Sequence, residues 1–455
     1  MAHGVIPDEH RWRCFFHMTD ISNVESILQN GLLCTNERIR RGITHADIAN
    51  GMIQERRSNT PVTCGPGGTV HDYVPFYFTS ISPMLLSLVL SKNYEQVDMV
   101  FICLKIDKLL SLDAIFTDAS ANTVVPPNFY DDVAQLSQLS WDKIDDRRWR
   151  WEDVEERHKK MAEVLIYNRV DPQDIEAIVV SNKERKRIVE KYVSDAGLTI
   201  RVCFECYGVY GDDMQCYFYY KKWNIKGMQR HSWVTGPKEL CAEYKGLMAN
   251  AKECRMFNNP SDYRFQTIAD ILSAIHENFC VLPELEGIYR LETSNPQHHM
   301  TVSDHTIDVV DKIKQTDYYQ QADEHQRELM ELAAYLHDIG KGPKSKWRDG
   351  IQPVYPDHPA DAIPMLVRIF SEEIAELSDE DMRVLALMVV YHDIIGDHMS
   401  KKRKIEVFKP LIVSDADYDM LAALTEADIK SIDVMWWCEY IANKRRLRNE
   451  FLAHE

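Results

Sequence analysis

The last third of the chain carries histidine and aspartate side chains at wide intervals, between segments with the apolar spacing of helices. Side chains so far apart meet only if several helices pack around one point. Imidazoles and carboxylates bind divalent transition metals and leave coordination positions open for water. The pattern therefore predicts a helical domain around one or two such ions, with iron, manganese and zinc as the candidates. The six candidate ligands are His305, His337, Asp338, His358, His392 and Asp428.

The adjacent pair His337 and Asp338 ends an apolar helical pattern and is followed by a glycine turn and Lys341. Both side chains can point at one ion from a rigid base, and an aspartate can bridge two cations. A bound cation lowers the pKa of water toward neutrality and supplies a hydroxide nucleophile. Lys341 is suited to neutralise a phosphate oxygen. Taken singly, His358 would be an ordinary polar residue, but the ordered set indicates a metal-dependent hydrolase.

Composition narrows the class of protein. A chain of 455 residues is expected to form two or three domains. The net charge of −18 argues against a general nucleic-acid coat, although it leaves room for a local basic groove. The start of the chain lacks a signal-peptide pattern, and the longest apolar runs are too short for a bilayer. The 11 scattered cysteines favour reduced thiols. We expect a cytoplasmic protein with no membrane partner.

The chain changes character along its length. Up to about residue 204, short strand patterns such as Met99–Ile106 alternate with helical ones such as Ile21–Leu33. From about residue 263 the pattern is helical. We therefore predict a mixed domain over 1–204, a connecting segment with short strands over 205–262 and a helical domain over 263–455.

The C-terminal set resembles the HD-domain superfamily of phosphohydrolases, whose motif has the form H…HD…D. The strings Val-Ser-Asp-His305-Thr and Leu-His-Asp-Ile-Gly-Lys341 are similar to that superfamily in detail, over roughly residues 265 to 440. The resemblance implies an all-α HD-domain helical bundle that cleaves a phosphoester or phosphoanhydride. It assigns His358 and His392 as the extra ligands of two-metal members. For the last ligand, Asp428 competes with three nearby residues, namely Asp415, Asp417 and Asp419.

Four separated features stand out in the first domain. They are His17 in a strand pattern, an arginine pair that ends with Arg57, the aromatic string Tyr73–Phe78, and Glu163 at the start of an apolar strand. Taken singly, each has an ordinary structural explanation. Glu163 is the least ordinary, because a carboxylate beside apolar strand residues must be paired or must lie at the edge of a site.

Together these features resemble the DarT family of DNA ADP-ribosyltransferases, over about residues 10 to 200. The string DYVPFYF followed by SPM carries the resemblance, with Phe-His17-Met-Thr19 and Ala-Glu163-Val-Leu. It implies an α+β ADP-ribosyltransferase-like domain with NAD as substrate and single-stranded DNA as partner. A toxin or antiphage role follows from the resemblance only. The implied catalytic residues are Glu163 and Arg57, with Lys341 at the HD site, and the implied NAD-binding residues are His17, Thr19, Tyr73 and Phe76.

The chemistry agrees with these residue types. Breaking the bond between ribose and nicotinamide builds positive charge on the sugar, which a carboxylate stabilises. Tyr73 and Phe76 would give a stacking wall for flat rings. A base must be unstacked to react, which favours single-stranded DNA. The segment Arg147–Trp151 alternates arginine with tryptophan, and we weigh strand binding equally against a solvated charged helix.

We therefore predict an NAD-dependent transferase that modifies thymine or guanine in single-stranded DNA, fused to an HD phosphohydrolase that processes an ADP-ribosyl or nucleotide species. A first alternative makes the N-terminal domain a non-catalytic nucleotide-binding or nucleic-acid-binding module that targets an HD nucleotide phosphohydrolase. A second has the transferase act on RNA or protein, since the sequence offers nothing that reads the 2′-hydroxyl.

Overall fold

The computed structural model describes residues 2–453 apart from 49–50, 122, 124–125, 147, 149–150, 152, 205–233, 298 and 348. The chain forms two compact units. Met1–Val89 and Tyr94–Tyr219 make up the first, and Leu90–Asn93 with Tyr220–Glu455 make up the second.

An eight-stranded sheet forms the centre of the first unit. Its strands are apolar at nearly every position, because helices and loops cover the sheet. The strands described in this part of the chain are β1 Cys14–Asp20, β2 Leu32–Leu33, β3 Tyr73–Tyr77, β4 Met99–Lys105, β5 Ala114–Thr117, β6 Phe129–Tyr130, β7 Glu163–Tyr167, β8 Arg169–Val170, β9 Ala177–Val179 and β10 Arg201–Cys203. Of these, β2 and β8 form a separate antiparallel pair, and the other eight form the large sheet.

The order of strands in the large sheet is β10-β9-β4-β1-β3-β7-β5-β6. All neighbours are antiparallel except β9 and β10. β3 therefore pairs with β1 on one side and with β7, which comes much later in the chain, on the other. The predicted strands and the mixed α/β character of this part are confirmed.

Among the described residues, eight α-helices belong to the same part of the chain. Helix α1 ends before Gly31, whose φ of +83° is a conformation that glycine adopts without strain. A Cβ on Gly31 would approach the Val170 carbonyl oxygen to 2.9 Å, so the turn also needs the small residue. The helices are α1 Val24–Asn30, α2 Thr35–Arg40, α3 Gly51–Asn59, α4 Pro83–Leu90, α5 Lys108–Ser111, α6 Trp141–Ile144, α7 Val154–Lys160 and α8 Lys183–Asp195.

Where the structure describes it, the second unit is helical, with one pair of two-residue strands, β11 Glu292–Thr293 and β12 Ile351–Gln352. Its apolar core is continuous from α9 to α19. Thr301 and Ser414 cap two helices that carry candidate ligands. The side chain of each accepts a hydrogen bond from a first-turn amide, that of Asp304 in α12 and that of Asp417 in α18. The helices are α9 Pro237–Arg255, α10 Ile268–Glu277, α11 Pro283–Ile288, α12 Val302–Ile313, α13 Asp317–Gln321, α14 Glu324–Leu336, α15 His358–Glu372, α16 Asp379–Tyr391, α17 Ile394–Lys401, α18 Asp415–Ile432 and α19 Val434–Leu452.

The segment over 205–262 differs from the prediction of short strands where the structure describes it. Residues 205–233, which include the predicted strand Gln215–Tyr220, lie outside the described part. The remainder contains the 19-residue helix α9, whose Leu240 and Leu247 are buried in the helical core. Lysine and glutamate interrupt the apolar spacing of α9 in the sequence. The sequence pattern therefore does not predict the burial of this helix, which depends on partners distant in the chain.

Among the described residues, no helix combines the length and the apolar composition that crossing a membrane requires.

Candidate active site and candidate metal centre

A cavity of about 750 Å³ lies in the first unit, within the range of small-molecule and cofactor sites. Residues from β1, β3, the segment between them, α4 and α7 line it. The polar and aromatic part of the wall includes His17, Arg38, Arg57, Tyr73 and Tyr77.

Glu163 and Arg57 form a buried ion pair at one side of this cavity. Arg57 Nη1 donates to both carboxylate oxygens, at 3.0 and 2.9 Å. The Ala121 amide and the Ser120 hydroxyl donate to Oε1, at 2.8 and 3.3 Å. Glu163 is fully buried, whereas Arg57 lines the cavity. Arg57 Nη2 is buried without a hydrogen-bond acceptor among the described residues, and so it is available to an acceptor atom of a ligand.

His17 and Thr19 hold two parts of the cavity wall together. His17 Nδ1 lies 2.8 Å from the Pro75 carbonyl oxygen, so Nδ1 carries the proton and Nε2 is left as an acceptor. Burial lowers the pKa of His17 to about 4 against the effect of that hydrogen bond, and the ring is neutral near pH 7. Asn23 Nδ2 donates to Thr19 Oγ1 at 2.9 Å and to the Ala46 carbonyl oxygen at 3.0 Å.

The two aromatic residues predicted to stack on NAD lie in different places. Tyr73 lines the cavity, and its hydroxyl donates to the Gly67 carbonyl oxygen at 2.8 Å. Phe76 is buried in the core, edge-on to Phe15, and does not contribute to the cavity wall. Of these aromatic residues, Tyr73 and Tyr77 line the cavity and Phe76 does not. Alternate residues of a strand share a face, so positions 73 and 76 cannot.

Sequence reasoning missed the turn that holds Glu163. Thr117 Oγ1 accepts a hydrogen bond from the Glu163 amide at 3.1 Å, and Ser120 and Ala121 bind its carboxylate. These contacts join positions more than 40 residues apart, and small polar residues give no local signal of them. Of the predicted arginine–tryptophan segment, Arg148 lies over the Trp151 ring at 4.4 Å. The other members, Arg147, Trp149 and Arg150, lie outside the described residues.

All six predicted metal ligands of the second unit converge on one buried cluster. Three groups within it place one ligand atom per residue within 4.8 Å of the others. The first group contains His305, His337 and Asp338, and the second contains Asp338, His358 and His392. Asp338 belongs to both, with Oδ2 at 3.4 Å from His337 Nε2 and Oδ1 at 3.6 Å from His358 Nε2. Asp338 is therefore placed to bridge two cations.

Asp428 on α18 belongs to the third group and contacts the first group through His305. Its Oδ1 lies 3.0 Å from His305 Nε2. Burial would raise the pKa of Asp428, but the hydrogen bond and charge of His305 lower it to about 2. The competing aspartates point elsewhere. Asp417 binds Arg383 at 2.7 Å, and Asp415 and Asp419 bind Arg448.

Asp393 is a member of the cluster that the sequence analysis did not single out. Its Oδ1 lies 3.4 Å from His392 Nε2, and the third group contains both residues with Asp428. The signal was present, because His392-Asp393 repeats the His-Asp pair at 337 and 338.

The cluster fits a cation in two respects. Main-chain carbonyl oxygens hold the Nδ1 atoms of His337, His358 and His392, which turns each Nε2 toward the cluster. Asp338 Oδ1 is buried without a hydrogen-bond donor among the described residues. Lys341 Nζ donates to the other oxygen at 2.6 Å. Burial would raise the pKa of Asp338, but Lys341 and His337 hold it well below its usual value.

Comparisons with known proteins bear on the first unit. Residues 16–210 match the family described as ssDNA thymidine ADP-ribosyltransferase, DarT. A DNA ADP-ribosyl transferase of Thermus sp. (strain 2.9) is 34% identical over 172 residues, which cover 36% of this chain and 79% of the relative. The chain belongs to the DarT family.

A second DarT relative and a solved structure extend the comparison. The DNA ADP-ribosyl transferase-DNA ADP-ribosyl glycohydrolase fusion protein of Thermosipho africanus is 27% identical over 192 residues, which cover 42% of this chain and 48% of the relative. The structure of Thermus sp. 2.9 DarT in complex with ADP-ribosylated ssDNA has 31% identity and a TM-score of 0.40, and the match covers 45% of this chain and 97% of that one.

Proposed function

We propose that the first unit transfers ADP-ribose from NAD to a base, thymine or guanine, in single-stranded DNA. Membership of the DarT family supports the reaction class. The observation that carries the proposal is the buried pair of Glu163 and Arg57 beside a cavity of cofactor size. A module that only binds nucleotides has no need for a buried carboxylate, because burying a charge pair is costly.

In the transfer, the glycosidic bond between ribose C1′ and the nicotinamide nitrogen breaks, and nicotinamide leaves with the electron pair. A nitrogen of the base forms the new bond to C1′ and loses its proton. Glu163 stabilises the positive ribose and accepts that proton. Because Glu163 is fully buried and Arg57 faces the cavity, Arg57 must turn aside for the carboxylate to reach the sugar. His17 Nε2 and the Tyr73 and Tyr77 rings remain to hold the flat groups of NAD.

The experiment is to incubate the full chain with labelled NAD and separate pools of single-stranded DNA, RNA and protein. We expect label on single-stranded DNA alone, and none with the Glu163→Gln variant. Label on RNA or protein would reassign the substrate. The absence of label from every pool would reject the transferase function and favour a binding module.

For the second unit we propose a metal-dependent phosphohydrolase of the HD kind. The observation in support is the convergence of His305, His337, Asp338, His358, His392 and Asp428 on one cluster. One or two divalent ions (iron, manganese or zinc) would be held there and would supply a hydroxide nucleophile from bound water. Lys341, beside Asp338, would neutralise a phosphate oxygen of the substrate.

We further propose that this hydrolase acts on an ADP-ribosyl or nucleotide species. Covalent linkage raises the effective concentration of one unit's product at the other unit's site. The Thermosipho africanus relative, by its name, also joins a DNA ADP-ribosyl transferase to a second enzyme that acts on DNA ADP-ribosyl groups.

The test uses an oligonucleotide adduct made by the His337→Ala variant and offered to the Glu163→Ala variant. Release or trimming of the adduct, lost on chelation, is the expected result. An unchanged adduct together with turnover of free nucleotides would leave the hydrolase intact and reject the coupling.

A further inference from the structure

The four imidazoles of the cluster are held in two different ways. His337, His358 and His392 each place Nδ1 on a main-chain carbonyl oxygen three residues earlier in their own segment, at 2.7 to 3.0 Å. His305 Nδ1 instead lies 3.0 Å from the hydroxyl of Ser431, a side chain on another helix. The orientation of His305 therefore depends on a side chain that substitution can remove.

Two helices interlock at this point through residues one turn apart. On α12, Asp308 follows His305 by three positions, and on α18, Ser431 follows Asp428 by three. Asp428 contacts His305 Nε2 at 3.0 Å while Ser431 contacts Nδ1 of the same ring. The Ser431 hydroxyl reaches Asp308 Oδ2 at 2.6 Å. One imidazole is thus held from both edges by α18.

The direction of these hydrogen bonds follows from the chemistry of the groups. Burial would raise the pKa of Asp308, but its hydrogen bonds from Lys312 and Ser431 lower it, and an ionised carboxylate can only accept. The Ser431 proton therefore goes to Asp308, and the Ser431 oxygen accepts from His305 Nδ1–H. With Nδ1 held by Ser431, the Nε2 edge of the ring faces Asp428 inside the cluster.

We propose that Ser431 and Asp308 are positioning residues for one of two cation positions, the one that His305 serves. This inference rests on the proposed metal-dependent function of the second unit. The position served by His358 and His392 has its imidazoles on main-chain carbonyl oxygens, so loss of the Ser431 hydroxyl leaves it unchanged. The two cations then differ in how strongly they depend on this hydrogen-bonded chain.

The experiment measures Mn²⁺ binding to the full chain after chelation, by calorimetric titration, with unfolding temperature as a check on the fold. For Ser431→Ala we expect one cation to bind about 10- to 100-fold more weakly and the other to bind as in the wild type. Ser431→Thr, which keeps the hydroxyl, should restore the affinity. Ser371→Ala is the matched control, because the Ser371 hydroxyl donates only within its own helix α15.

The outcomes distinguish the metal-dependent function of the second unit from the positioning role of Ser431 and Asp308. If the wild type binds no Mn²⁺, both the metal centre and the positioning role are rejected. If the wild type binds two ions and Ser431→Ala binds both equally tightly, only the positioning role is overturned. Should Ser431→Ala fail to fold, Asp308→Ala replaces it, with loss at one position as the expected result and wild-type binding at both as the contrary one.

Discussion

The candidate active site and the candidate metal centre both contain buried carboxylates, but different groups surround these carboxylates in the two sites. In the first unit the Glu163 carboxylate is neutralised by Arg57 and by hydrogen bonds from a turn. In the second unit Asp338, Asp393 and Asp428 are surrounded mainly by imidazoles, and one oxygen of Asp338 has no donor among the residues described. In the first arrangement the chain itself supplies the countercharge of the carboxylate, and Arg57 Nη2 is left without an acceptor among the described residues. The second is suited to a cation that the chain does not itself supply.

Because of this difference, we expect the two sites to respond differently to the loss of a single side chain. A closed ion pair depends on its two members, and removal of one leaves the other as an uncompensated buried charge. In the proposed metal centre, loss of an outer ligand should affect one cation position, whereas loss of the bridging Asp338 should affect both. Four substitutions test this difference between the two sites.

Asp338→Asn should have the largest effect, the loss of both cations. Asp338 lies within 3.9 Å of imidazoles of both ligand groups. His392→Ala should lose only one, and His325→Ala, which removes a solvent-exposed imidazole paired with Asp381, should lose neither. Elemental analysis of the purified variants measures this. Full metal content in Asp338→Asn would show that the cluster is not a bridged centre.

Glu163→Gln should lower the transfer of labelled ADP-ribose to single-stranded DNA by a factor of about 10² to 10⁴, because an amide can neither accept the proton nor stabilise the ribose cation. Metal content should stay as in the wild type, which serves as the internal control. Activity within a factor of a few of the wild type would remove Glu163 from the mechanism and leave the ion pair with a structural role.

Arg57→Ala should destabilise the first unit by about 3 kcal/mol, since Glu163 would then be buried without its cation. Hydrogen exchange of the β7 amides measures the change locally. The double variant Arg57→Ala/Glu163→Gln should recover part of the loss, because the unpaired charge is gone. Equal protection in the single and double variants would contradict a closed ion pair.

His17→Gln should have the smallest effect on stability, and that effect should depend on pH. The pKa of His17 is lowered from 6.5 to about 4, so below pH 6.5 the unfolded chain binds a proton that the folded chain does not. The stability due to the neutral ring is present above pH 6.5 and is lost as the pH falls toward 4. Unfolding temperatures at pH 7.5 and 5.5 should therefore differ less in the variant. An equal difference in both proteins would contradict the lowered pKa.

Many of the helices, strands and candidate site residues could be predicted, because they depend on short-range patterns in the sequence. The strand over Glu163–Tyr167 and the helix before His337 follow from apolar spacing. The DarT motifs identified the family, and the ligand types indicated a metal centre. The repeated His-Asp pair could have added Asp393, and strand alternation could have excluded Phe76 from the cavity wall.

The residue types, and the faces of strands and helices on which they lie, follow from the sequence, since these depend on neighbours within a few positions. Which of these residues meet depends on the tertiary structure. It placed Glu163 against Arg57, 106 positions away, and it chose Asp428 for the cluster while pairing Asp417 with Arg383. These choices depend on the packing of elements distant in sequence, and side-chain type alone carries no information about such distances.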